Sequence, residues 1–160
     1  QSGTIALTKQ RMDVQEILYD VAQRYESAAQ ERGLSIRLNV ADPFPEVYGN
    51  PDRTEQVLII LLDNAIKHGS ADEPLALGAE ISGDKVLVHV SNAGTIAEED
   101  IAHLFERFYK ADRSHSGEGT GLGLSIAQEI MSLLDEKIWA QNRNGRVEFT
   151  FTLSLNAEKV

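Results

Sequence analysis

The chain contains no cysteine. This excludes a disulfide framework and any thiolate metal site, and it fits a reducing compartment. Long apolar runs are also missing. The longest, residues 57–62, is far too short to span a bilayer, and no signal-peptide pattern is visible at the start. Neither Gly-Lys-Ser nor Gly-Lys-Thr occurs, so there is no Walker phosphate loop. Basic residues are in deficit: 15 Lys and Arg stand against 25 Asp and Glu, a formal net charge of −10. Such a chain is poorly suited to nucleic acid or an anionic membrane surface, and neither is expected as a partner. A polyanionic ligand would need a local site to overcome the global field. What remains is 160 residues, 42% apolar and 25% charged, enough for one domain with a hydrophobic core.

The start, Gln1-Ser2-Gly3, reads as a cut inside a longer protein. Residues 1–12 are expected to be the remnant of a preceding linker, 13–155 one domain and 156–160 a frayed tail. Asp13 and Glu16 form a capping-box-like pair. Val14, Ile17, Leu18, Val21 and Tyr25 then recur at helical spacing, with Gly33 as the stop. Residues 34–40 alternate as a half-buried strand. Asn50-Pro51 opens a second helix, the Asn as cap and the Pro at the first helical position, running to about His68. Strands at 75–81 and 86–90 flank Ser82-Gly83-Asp84-Lys85, a hairpin signal. A short helix is predicted over 98–104, and a longer one from near Gly121 with Leu122, Ile126, Ile130, Leu133 and Leu134 on one face. The final strands are predicted at 137–140 and 147–155. The pattern gives an α/β sandwich, a mixed sheet of about five strands with about three helices on one face.

Four features carry chemistry, and each has a bland alternative. Asn64 extends the apolar helical stripe of Val57, Ile60 and Leu61, where a polar side chain needs a partner. With Asp63 and Lys67 it could meet Mg²⁺ and phosphate, or it could cap a neighbouring loop. Gly117, Gly119, Gly121 and Gly123 open a helix whose amides favour anions, which makes a phosphate cradle or a hinge. No strand precedes this run, so a Rossmann reading fails. Val90-Ser91-Asn92-Ala93-Gly94-Thr95-Ile96 is a strand end entering a Gly turn: either a polar pocket floor or an ordinary loop. Leu104-Phe105-Glu106-Arg107-Phe108-Tyr109-Lys110 is a satellite core or the root of a movable lid.

Their order resembles the histidine-kinase ATP-binding domain of the gyrase, chaperone, kinase and mismatch-repair superfamily, with its Bergerat-type fold. Residues 49–53 through Asn64-Ala65-Ile66-Lys67-His68 resemble the N box. Asn92-Ala93-Gly94 resembles the G1 box, Phe105-Glu106-Arg107-Phe108-Tyr109 the F box, and Gly119-Thr120-Gly121-Leu122-Gly123-Leu124 the G2 box. The resemblance covers about residues 13–155.

The resemblance implies ATP and Mg²⁺ as cofactors. Asn64 would be the protein ligand of Mg²⁺, Lys67 would contact a phosphate, and His68 would lie beside the purine. Asp63 stands where hydrolases of the superfamily place a water-activating acid, so Asp63, Asn64 and Lys67 are the expected catalytic group. Gly119, Thr120, Gly121, Leu122, Gly123 and Leu124 would wrap the phosphates, with Lys110 and Arg113 as lid cations. Asn92, Gly94, Ile96, Tyr109 and Thr150 complete the expected nucleotide contacts. The sequence departs from the family pattern where an adenine-binding Asp is usual, a place matched by Asn92 or, because the segment is one residue short of the common spacing, by Ser91, and at Ile60, where many members carry a second Asn.

The implied partners are a histidine-containing dimerisation domain of the same protein and a response regulator. The implied location is the cytoplasm, with the parent protein anchored in a membrane. None of the histidines, at positions 68, 89, 103 and 115, has the phospho-acceptor context, so no autophosphorylation is expected from this chain. The alternatives are an ATP hydrolase of the superfamily and a degenerate signalling module.

Overall fold

The computed structural model describes residues 7–109 and 122–156. The elements follow in the order β1 (Gln10–Met12), α1 (Val14–Glu31), β2 (Ile36–Val40), β3 (Val47–Gly49), α2 (Pro51–His68), β4 (Leu75–Ser82), β5 (Lys85–Ala93), α3 (Glu98–Ile101), α4 (Gly123–Leu133), β6 (Ile138–Arg143) and β7 (Arg146–Ser154). One mixed sheet runs β1-β3-β7-β5-β4-β2, with β6 also paired to β7. Only β2 and β4 are parallel; the other pairs are antiparallel.

The helices begin and end where local chemistry dictates. Asp13 accepts the Glu16 N–H at 3.0 Å and caps α1. At its other end Gly33 takes φ +75, and the Leu34 N–H closes back on the Ala29 carbonyl at 2.9 Å. Asn50 caps α2 by accepting the Arg53 N–H at 3.0 Å, and Pro51 occupies the first turn. The apolar run at 57–62 is explained by the position of α2, which lies between α1 and α4 and over β5. Val57, Leu58, Leu61 and Leu62 are therefore all fully buried. In α4 the buried face is Ala127, Ile130 and Met131, followed by Leu134. Ile126, expected on that face, is 40% exposed, because the small Ala127 turns inward instead.

Alternation sorts the strands into two faces. Leu75 and Leu77, Val86, Val88 and Val90, and Phe149, Phe151 and Leu153 point into the helical layer and form the core. The opposite face is polar, carrying Glu80, His89, Glu148, Thr150, Thr152 and Ser154. Two three-residue strands, β1 and β3, join the five read from the sequence. The stretch expected as linker thus supplies a strand, and Met12 is only 5% exposed. At Gly78 a Cβ would stand 2.6 Å from the Asn39 carbonyl, so this β4 position holds β2 close only as glycine.

Glu136, between α4 and β6, is the centre of a buried polar network. Its carboxylate pairs with Lys85 at 2.9 Å and Lys9 at 3.3 Å. It also accepts the Thr152 hydroxyl at 2.6 Å and the Ser154 hydroxyl at 2.7 Å. Burial pushes the carboxyl up, but the hydrogen bonds from Thr152, Lys85 and Ser154 outweigh it and hold the group below the ordinary Glu value. No described helix is long and apolar enough to cross a membrane.

Candidate functional site

The last turns of α2 and the end of β5 meet at one edge of the helical layer. Asn64 is half-buried and one turn beyond Ile60 on the same side of α2. Ile60 faces the start of α4: a Cβ on Gly123 would lie 3.5 Å from its Cγ2. Asn64 is thus directed toward the same side as the N-terminus of α4. Asp63 and Lys67 form an i,i+4 ion pair at 3.2 Å. Their side chains are 54% and 36% exposed, so the pair adds only about 0.3–0.5 kcal/mol to stability. The Lys67 carbonyl accepts Arg32 Nη2 at 3.1 Å, which ties the end of α2 to the end of α1.

Asn92 continues the inward alternation of Val86, Val88 and Val90, and is 3% exposed. Its Nδ2 donates to the Ala93 carbonyl at 2.9 Å and to the His68 carbonyl at 3.5 Å. Facing two carbonyls fixes the orientation of the amide. Oδ1 therefore points the other way, and it accepts no hydrogen bond among the described residues. The site thus holds a buried amide that presents only an acceptor, beside the C-terminal end of α2. His68 itself is exposed.

After Ala93 the chain turns over the end of the sheet. Gly94 takes φ +135, a conformation that suits glycine, and its N–H donates to the Gly145 carbonyl at 3.0 Å. Ile96 is held at both backbone atoms by Asn142 of β6: its N–H donates to Oδ1 at 2.9 Å, and its carbonyl accepts Nδ2 at 2.7 Å.

The aromatic segment is partly core and partly surface. Leu104 is buried, and Phe105 meets Phe149 edge-to-face with ring centroids 6.0 Å apart. Phe108 has φ +64 and is 66% exposed. The Tyr109 hydroxyl donates to Asp100, and its ring lies 5.3 Å from that of His103. At the start of α4 the Ser125 hydroxyl donates to the Leu122 carbonyl at 2.8 Å, and Leu124 packs against the core.

The structure therefore brings Asn64, Lys67, His68, Asn92, Gly94, Leu122, Gly123 and Leu124 to one region, with Asp63 beside Lys67 and Ile96 in the bordering turn. It does not bring Thr150 there. Thr150 stands opposite His89 in the β5–β7 ladder, and its hydroxyl meets His89 Nδ1 at 2.9 Å. That is the sheet face away from the helices, because Phe149 and Phe151 on either side point inward. Lys110, Arg113, Gly119, Thr120 and Gly121 lie outside the described residues. Asn142 was not singled out in the sequence, although Asn144-Gly145, a strong hairpin signal, marks the turn that follows its strand.

The family described as histidine kinase-, DNA gyrase B-, and HSP90-like ATPase matches residues 49–157. The chain belongs to this family. Among its relatives, the sensor protein VanS of Enterococcus faecium is 29% identical over 152 residues, 94% of this chain and 39% of that protein. The nucleotide-free catalytic domain of histidine kinase ThkA superposes with a TM-score of 0.82 at 28% identity, covering 93% of this chain and 97% of that one. ThkA is also matched in its complex with response regulator protein TrrA, with a TM-score of 0.78 at 26% identity over 92% of this chain and 42% of that one. Full-length ShkA in complex with AMPPNP superposes with a TM-score of 0.83 at 27% identity, covering 98% of this chain and 33% of that one. The chain spans well under half the length of the full sensor kinases it matches.

Proposed function

We propose that this ATPase-family domain is the ATP-binding catalytic domain of a two-component sensor histidine kinase. It would transfer the ATP γ-phosphoryl group to an imidazole nitrogen of a histidine on a separate dimerisation domain, releasing ADP. A response regulator would then receive the phosphoryl group, and the parent protein would work at a membrane. The observation that carries this reading is the buried Asn92 amide, whose donors are spent on the His68 and Ala93 carbonyls. The remaining Oδ1 suits the exocyclic amino group of adenine, which donates, and opposes the oxygen that guanine carries in the same place.

At the other end of the site, Asn64 offers one amide oxygen on the face of α2 turned to α4. One hard oxygen donor fits Mg²⁺, which is held largely by phosphate oxygens and water. Mg²⁺ bound there would neutralise charge on the phosphates. Lys67 is the cation of α2 next to Asn64, already oriented by Asp63 at 3.2 Å. Phosphoryl transfer asks mainly for position and charge neutralisation, which these groups suit. Lys110, Arg113, Gly119, Thr120 and Gly121 complete the proposal from sequence, as the cations and glycines expected around the phosphates.

A second reading, a degenerate signalling module, is favoured by Ile60, which sets an apolar side chain toward Gly123 one turn before Asn64. Calorimetric titration with ATP, with and without Mg²⁺, separates the two readings. The kinase-domain reading expects binding that weakens sharply without Mg²⁺ and in Asn64→Ala. No binding by the folded wild type would support the degenerate module.

A further inference from the structure

We propose that Asn142 is a positioning residue of the nucleotide site, an amide clamp that fixes the Gly94–Ile96 turn over Asn92. This inference rests on the reading of Asn92 as the group that meets the base. Thr95 and Ala97 on either side of Ile96 are exposed, and among the described residues the turn has one other backbone tie to the sheet, from the Gly94 N–H to the Gly145 carbonyl. Asn142 supplies the rest. Its Oδ1 accepts the Ile96 N–H at 2.9 Å and its Nδ2 donates to the Ile96 carbonyl at 2.7 Å.

This reciprocal pair reproduces, with one side chain, the exchange that two residues make in an antiparallel ladder. Nδ2 also faces Glu98 Oε2 at 3.4 Å, which ties in the start of α3. The amide is needed for this: a carboxylate could accept the Ile96 N–H but could not donate to its carbonyl, and it would face Glu98. The turn it holds passes directly over Asn92, since a Cβ on Gly94 would lie 3.8 Å from Asn92 Nδ2. Asn142 therefore governs how closely the turn and the Asn92 acceptor flank a bound base, without touching the base itself.

The test combines amide hydrogen exchange at Ile96 with calorimetry of ATP, ADP and adenosine on wild type, Asn142→Ala and Asn142→Asp. In the wild type without nucleotide, the Ile96 amide should be protected, and in Asn142→Ala that protection should be lost. Affinity for ATP, ADP and adenosine should fall by one common factor of about tenfold, since the base end is disturbed and the phosphate end is not. The Mg²⁺ dependence of ATP binding should persist. Asn142→Asp keeps the size but sets a carboxylate oxygen against the Ile96 carbonyl and Glu98, and should lose at least as much affinity as Asn142→Ala. An unprotected wild-type Ile96 amide would overturn the clamp whatever the ligand. Unchanged affinities, with only a lower unfolding temperature, would overturn the positioning role and leave the nucleotide reading standing. A protected Ile96 in a wild type that binds no nucleotide would overturn the nucleotide reading and the positioning role with it.

Discussion

Asn92 and Asn142 lie in one row across the sheet, on either side of Val147, and both belong to the face that carries the helices. One amide is bonded to the end of α2 and its own strand, the other to the turn that leaves β5. The row thus gathers at the open end of the sheet the backbone segments that border the candidate base site.

Asn92→Leu keeps the approximate volume and removes the acceptor. ATP affinity is expected to fall about tenfold or more, and the preference for ATP over GTP to shrink. Parallel titrations with the two nucleotides read this directly. A variant that kept the wild-type ATP-to-GTP ratio would mean that Asn92 does not read the base.

Glu136→Gln tests the buried network. Because the folded pKa of Glu136 is lowered, its carboxylate contributes stability that is complete above the unfolded value and fades as pH falls through the folded one. Near neutral pH the substitution should cost about 3 kcal/mol, since Lys9 and Lys85 lose a buried partner. The gap between wild type and variant should narrow as the pH drops below the ordinary Glu value toward the lowered folded one. Urea melts at several pH values measure it, and a pH-independent gap would contradict the assignment.

Thr54 is fully buried in α2, and its hydroxyl has no hydrogen-bond partner among the described residues. Thr54→Val preserves shape and removes the unsatisfied oxygen, so the variant should be more stable by about 1 kcal/mol. Denaturant unfolding checks the sign, and nucleotide affinity should stay as in the wild type.

Much of the fold could be read where local chemistry is strong. Asp13 with Glu16, Asn50-Pro51 and Gly33 announced the ends of α1 and α2, and unbroken alternation announced β7. The three-residue β1 and β3 are too short for any period to register. In α4, large side chains suggested an apolar face that included Ile126, whereas close approach of helices selects a small residue, Ala127. Asn64 stood out because it extends an apolar helical stripe, and Asn92 because it ends a strand that runs into a Gly turn. Asn142 did not, because Gln141, Asn142 and Arg143 look like a loop until Asn144-Gly145 is recognised as the turn that extends β6. The misplacement of Thr150 has a simple origin: its face follows only from counting outward from Phe149 and Phe151.

β7 pairs with β3, β5 and β6, and among the described residues it is the only link between the β1–β3 pair and the β5-β4-β2 half of the sheet. It is also the last of the described strands along the chain. During synthesis from the N-terminus, the two halves of this sheet remain separate, with open edges, until the final strand leaves the ribosome. The domain's architecture therefore closes in a single late event, and nascent chains stopped short of residue 146 should behave as adhesive fragments rather than as a smaller version of the domain.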